Sequence, residues 1–166
     1  MPRHSLCAAL CTVALTLSPA LALAQATKAA PKAAAKAGAV KAVALTGSDT
    51  MKFAPAVIRV KAGAKVKVSL KVVSQLPKLA MAHNFVLLKA GTDATAVATA
   101  GATARDTAFV PAKFKAQIIA ASGLAGAGET VDVEFTAPAA GKYQFICTFP
   151  GHFQAGMVGK VRVLAK

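Results

Sequence analysis

The chain has no tryptophan and one tyrosine in 166 residues, and only six acidic residues against 20 lysines and arginines. So few aromatics leave little to build a stacking platform for single-stranded nucleic acid. The net charge of +14 therefore points toward acidic proteins or anionic membrane surfaces. Cysteine is nearly absent. Of three cysteines, Cys7 and Cys11 lie in an apolar N-terminal stretch, and only Cys147 lies beyond it. A disulfide framework is thereby excluded for the main body of the chain. Past the N-terminal stretch no apolar run is long enough to suggest a membrane-spanning helix.

That first stretch, MPRHSLCAALCTVALTLSPALALAQ, has a basic start at Arg3, an apolar segment from Leu6 to Leu23 and a small-x-small pattern at Ala22-Leu23-Ala24. It reads as a secretory signal peptide over residues 1–24, cleaved before Gln25, with export to the periplasm. A membrane anchor is the alternative, opposed by Pro19 and the cleavage pattern. Export removes Cys7 and Cys11. Cys147 is then a lone thiol in an oxidising compartment, where something must protect or use it. Residues 25–42 are almost wholly Ala and Lys, with Lys28, Lys32 and Lys36 at intervals of four. Pro31 and Gly38 interrupt any helix, and no apolar face exists to dock one, so the segment reads as a flexible basic tether.

Residues 43–166 read as one domain, large enough to bury a core without a disulfide or structural metal. KVKVSLKVV at 65–73 alternates strictly, with Val66, Val68, Leu70 and Val72 on one face, as a half-buried strand does. AVIRVK at 56–61, TVDVEF at 130–135, KYQFIC at 142–147 and GKVRVLAK at 159–166 read as further strands, and HNFVLL at 83–88 as a more buried one. Residues 90–105 predict a loop carrying a short helix; residues 106–123 are ambiguous and read as irregular strands. Short strands without a βαβ rhythm predict a β-sandwich.

The chemistry concentrates in FICTFPGHFQAGMVGKV at 145–161, where Cys147, His152 and Met157 share one turn-rich loop between two strands. The only other histidine after the leader is His83, at the start of a strand that a sandwich can bring to the same end. Two imidazoles, a thiolate and a thioether suit a blue-copper site. Pro150 and Gly151 supply a turn that returns His152 toward Cys147. Three readings compete. Cys147 could be a small buried hydrophobe. It could be a nucleophile with His152 as base, though no orienting carboxylate is evident. It could also be a zinc ligand, which would leave Met157 without a role.

CTFPGH at 147–152 and LPKLAMAHNFVL at 76–87 resemble the two metal-binding segments of the cupredoxins, specifically the azurin-like and auracyanin-like blue copper proteins. The resemblance covers residues 43–166. It implies an all-β, eight-stranded Greek-key sandwich with one type 1 copper per chain. The implied ligands are His83, Cys147, His152 and Met157. The Ala82 carbonyl would stand opposite Met157 as a weak axial oxygen, and Asn84 would hydrogen-bond toward the Cys147 loop. The implied protein is no enzyme. It is a monomer that passes single electrons through the exposed ring edge of His152, within an apolar patch of Leu76, Ala80, Met81, Phe149 and Gly151. Partners would be c-type cytochromes or a terminal reductase or oxidase with acidic docking surfaces. A copper-delivery protein using the same ligands is the alternative. The chain departs from the azurin pattern in placing four residues, not three, between His152 and Met157. It also has Phe85 where azurins commonly have tryptophan, Val72 where some carry a pH-linked histidine, and no counterpart of the azurin disulfide.

Overall fold

A computed structural model describes residues 39–166. The expected signal peptide and residues 25–38 of the expected tether lie outside the described residues. Two sheets face each other. One has the order β2-β1-β4-β7 and the other β3-β9-β8-β5-β6. In chain order the strands are β1 (Lys41–Ser48), β2 (Phe53–Ala54), β3 (Val57–Lys61), β4 (Lys65–Val73), β5 (Val86–Leu88), β6 (Ile118–Ala121), β7 (Thr130–Thr136), β8 (Gly141–Ile146) and β9 (Val158–Leu164). The expected β-sandwich is therefore present; among the described residues the strands number nine because the two-residue β2 counts separately. No helix among them is long and apolar enough to cross a membrane.

Alternation dictates the packing. Val66, Val68, Leu70 and Val72 of β4 are all at most 1 % exposed, while Lys65 and Lys71 between them face solvent. Val66, Val68 and Leu70 meet Phe85 and, from the other sheet, Leu87, Phe145, Val161 and Val163 in one core, and the Phe85 ring stacks on Phe145 with centroids 4.8 Å apart. Burying a side chain of this size contributes about 1.5–3 kcal/mol. The strand β1 begins at Lys41, two residues before the expected start of the domain, and pairs in parallel with β4 along its whole length.

The expected strand at 83–88 is shorter, since only Val86–Leu88 forms β5. Ahead of it, His83 makes an isolated bridge to Ala125, and the Phe85 N–H donates to Ser122 Oγ (2.9 Å). Local partners have replaced the ladder. The helix α1 (Ala94–Gly101) is capped by Asp93, whose carboxylate accepts from the Thr95 and Ala96 N–H groups, as N-cap residues do. With 3-10 turns at Arg105–Thr107 and Ala112–Gln117, it covers Val86, Leu88 and Ile146 on the outer face of the second sheet.

Candidate metal centre

Four chain segments converge at one end of the sandwich. His83 arrives ahead of β5 and Cys147 follows β8. His152 sits on the loop after it, and Met157 directly precedes β9. The loop is shaped by a turn in which Gly151 has φ +83° and the His152 N–H donates to the Phe149 carbonyl (3.1 Å). Proline followed by a positive-φ glycine is the signature of a type II turn. A second positive φ at Gly156 (+88°) turns the chain so that the Met157 N–H donates to the His152 carbonyl (2.9 Å), and the Cys147 N–H in turn donates to the Met157 carbonyl (3.2 Å).

The donor atoms face one another. His83 Nδ1 and His152 Nδ1 are 3.1 Å apart, and Cys147 Sγ lies 3.9 Å from the first and 3.5 Å from the second. One ion placed about 2.0–2.3 Å from nitrogen and sulfur donors spans donor pairs roughly 3–4 Å apart. The three therefore fit a single metal without rearrangement. His83, Cys147 and Met157 are fully buried and His152 is 2 % exposed. Met157 reaches the same place: a Cβ built on Gly47 would lie 2.8 Å from His83 Cδ2 and 3.0 Å from Met157 Cε. Gly47 is thus a site residue that sequence reasoning missed, because only the fold brings β1 against both side chains. The Gly47→Ala variant is expected to keep its sheets but displace His83 or Met157. A shifted visible spectrum of the copper-loaded variant, at unchanged far-ultraviolet circular dichroism, is the check; an unaltered spectrum would contradict the contact.

Asn84 ties the two halves of the site together. Its Nδ2 donates to the Ala108 carbonyl (2.8 Å) and to Thr148 Oγ1 (2.9 Å), and its Oδ1 accepts from the Thr148 N–H (2.9 Å). The expected bond toward the Cys147 loop therefore falls on Thr148, and the irregular 104–109 segment is latched by the same side chain. Ala82 is fully buried next to His83.

The electrostatics suit a metal. Burial pushes the Cys147 thiol up from 9.0 to about 11, against the pull of the Asn84 and Phe149 backbone N–H groups. Burial, and then the neighbouring His83, lowers His152 to about 4. Burial also lowers His83, opposed by the Ser48 carbonyl and Asp49. Both imidazoles are thus neutral donors at neutral pH, and metal binding must displace the thiol proton. A pH dependence follows for the metal-free protein. Between about 6.5 and 4 the unfolded chain binds protons that the folded one refuses, so stability falls with acid. Above 9.0 the folded chain keeps a thiol proton that the unfolded chain loses, so stability falls again. Thermal midpoints measured in chelator should be highest between these limits; a midpoint unchanged from pH 7 to 5 would contradict the histidine burial.

Two details differ from expectation. The His152 ring is almost enclosed rather than edge-exposed, with the Phe149 ring 4.7 Å away and Phe149 itself packed edge-on against Phe109. Met81 is buried (6 % exposed) and so is not part of the surface. The apolar surface beside the loop is formed instead by Leu76 and Leu79, which are 42 % and 87 % exposed, with Ala80, Pro150 and Gly151. Lys78, Leu79, Arg105, Leu124, Phe149 and Pro150 line a groove there.

The family of copper binding proteins that includes plastocyanin and azurin matches residues 39–164. The chain is 51 % identical over 83 residues to auracyanin-A and 44 % over 86 residues to auracyanin-B, both of Chloroflexus aurantiacus. Those matches cover 49 % and 51 % of this chain, and the chain spans only 50 % and 37 % of the two relatives. Azurin of Pseudomonas fluorescens biotype C is 38 % identical over 123 residues, 72 % of this chain and 94 % of that protein. Among solved structures, auracyanin A, a blue copper protein of a green thermophilic photosynthetic bacterium, superposes with a TM-score of 0.69 at 36 % identity. That superposition covers 76 % of this chain and all of the other.

Proposed function

The chain belongs to the plastocyanin/azurin family of copper-binding proteins, and from that membership we propose that it is a monomeric, exported carrier of single electrons. His83, Cys147 and His152 would hold the one copper ion, with Met157 as axial thioether. Bound copper supplies a one-electron Cu(II)/Cu(I) couple, which soft thiolate and thioether donors tune. The protein residues do the rest. Asn84 and the Pro150–Gly151 turn fix the donors, so that little moves when the charge changes. Phe149 and Met157 exclude water. The Leu79–Pro150 groove, lined by Phe149 against the enclosed His152 ring, faces the partner, and small apolar contacts of this kind suit brief encounters. Lys78 and Arg105 at the groove favour c-type cytochromes or a reductase or oxidase with an acidic docking surface, located with this protein in the periplasm.

The observation that carries this reading is the convergence of two neutral imidazoles and one buried sulfur within 4.8 Å. The competing readings fit less well. A copper-delivery protein needs ligands that open to an acceptor, whereas these donors are buried on all sides. A cysteine enzyme needs a lowered thiol pKa and access, whereas Cys147 is raised and enclosed. Voltammetry of the copper-loaded protein is the test. A reversible one-electron wave supports electron transfer, and rapid loss of copper to weak chelators supports delivery. Met157→Leu should keep the colour and raise the potential, since an axial donor is removed and the thiolate retained; a colourless variant would move Met157 from a tuning to an essential role.

A further inference from the structure

The outer face of the five-stranded sheet changes character along its length. Near the metal loop the registered pair Ile146 and Val158 lies in the apolar cluster with α1. One step further the pair is Gln144 and Lys160, and beyond it Lys142 and Arg162. On the other side of β9, Arg162 is in register with Arg59 of β3. Lys142, Arg162 and Arg59 thus form one row across three neighbouring strands, flanked by Lys160 and Lys61, and all five are exposed. No acidic residue occurs in any strand of this sheet, and among the described residues the ion pairs are Lys67–Asp132 and Lys78–Glu129, elsewhere. Like charges directly opposite on a sheet are destabilising, so the fold itself gains nothing from the row.

An apolar element adjoins it. Lys41, Arg59 and Lys61 surround a depression with Val60, Ala64 and Leu164, and Leu164 is 51 % exposed. Lys41, which opens β1, adds a further cation to this edge. Lys142 lies five residues before Cys147, about 17 Å along an extended strand.

We propose that this face seats the protein on an anionic lipid bilayer, leaving the metal loop free. Three features favour a membrane over an acidic redox protein. The cations lie in a row across three adjacent strands rather than converging on one point. An exposed leucine sits among them, able to enter the interfacial region while the cations meet headgroups. A redox partner docked here would stand a strand's length from the metal loop.

The test is co-sedimentation of the full mature, copper-loaded chain with vesicles of phosphatidylcholine alone or with 30 mol % phosphatidylglycerol, at low and physiological salt. Binding is expected only to the anionic vesicles, weaker at higher salt. Neutralising Arg59, Lys142 and Arg162 together to Gln should lower the partition coefficient by about fivefold per charge, on the order of 100-fold in all. The visible spectrum should be unchanged and the thermal midpoint no lower, because opposed like charges are removed. Neutralising Lys78 and Arg105 to Gln should leave vesicle binding intact. Equal binding to both vesicle types overturns the proposal, as does retention by the triple variant of wild-type binding that is lost on deleting residues 25–38. A triple variant that binds vesicles normally but reacts more slowly with an acidic cytochrome assigns the face to protein docking and also overturns it. Electron transfer by the copper site stands or falls separately, by voltammetry.

Discussion

Replacing Cys147 by serine is expected to abolish the blue colour and to weaken copper binding by more than the ~10–100-fold that follows loss of a supporting hydrogen bond at a metal site. Serine is nearly isosteric with cysteine, so the buried position between Ile146 and Thr148 is kept. The hydroxyl, however, is far too weak an acid to supply the anionic donor. The two imidazoles, 3.1 Å apart, would still offer nitrogen. The variant should therefore bind copper weakly, without the thiolate-to-copper absorption, and fold with a midpoint close to that of the metal-free parent. Visible absorption during copper titration reads both effects. A variant that remains blue would remove Cys147 from the ligand set.

The second large effect is expected at Asn84. Truncation to alanine removes three hydrogen bonds and strands the buried Thr148 N–H and the Ala108 carbonyl. A buried polar group left unpaired costs about 1–3 kcal/mol, and since Thr148 is buried and Ala108 only partly so, the loss should be at least about 1–3 kcal/mol. Denaturant unfolding of the metal-free protein measures it. The same change releases the segment after Cys147 from the segment that carries His83, so the copper-loaded variant should also show a displaced absorption band. A destabilisation under about 1 kcal/mol with an unmoved band would show that the loop holds its shape without Asn84.

Much of this was legible in the sequence where one side of an element is buried and the other wet. The alternation of β4 fixed its inward face correctly, and the loop from Cys147 to Met157 announced its donors because cysteine and histidine are so rare. The strand β1 was not legible. Ala42, Ala44 and Gly47 dilute its alternation, and its stability comes from parallel pairing with β4, a partner some 25 residues away. The role of Gly47 was hidden for the same reason, since nothing in KAVALTGS indicates that His83 and Met157 will lie against it. At residues 83–85 continuity with the apolar run Phe85–Leu88 suggested a strand, but Ala125 and Ser122 capture the backbone groups there. Surface details depended on tertiary context too: Met81 looks like a patch residue by position, yet is buried, while Leu79 is exposed.

The central claim is that one thiolate and two neutral imidazoles hold one copper ion whose charge changes by a single electron. Stoichiometric titration of the metal-free mature chain with Cu(II), followed by visible absorption and then by equivalents of a one-electron reductant, tests it most directly. The expected result is an intense thiolate-to-copper band that saturates at one copper per chain, is bleached by one electron equivalent and returns on reoxidation. Saturation at another ratio, the absence of an intense band, or bleaching that does not reverse would contradict the account.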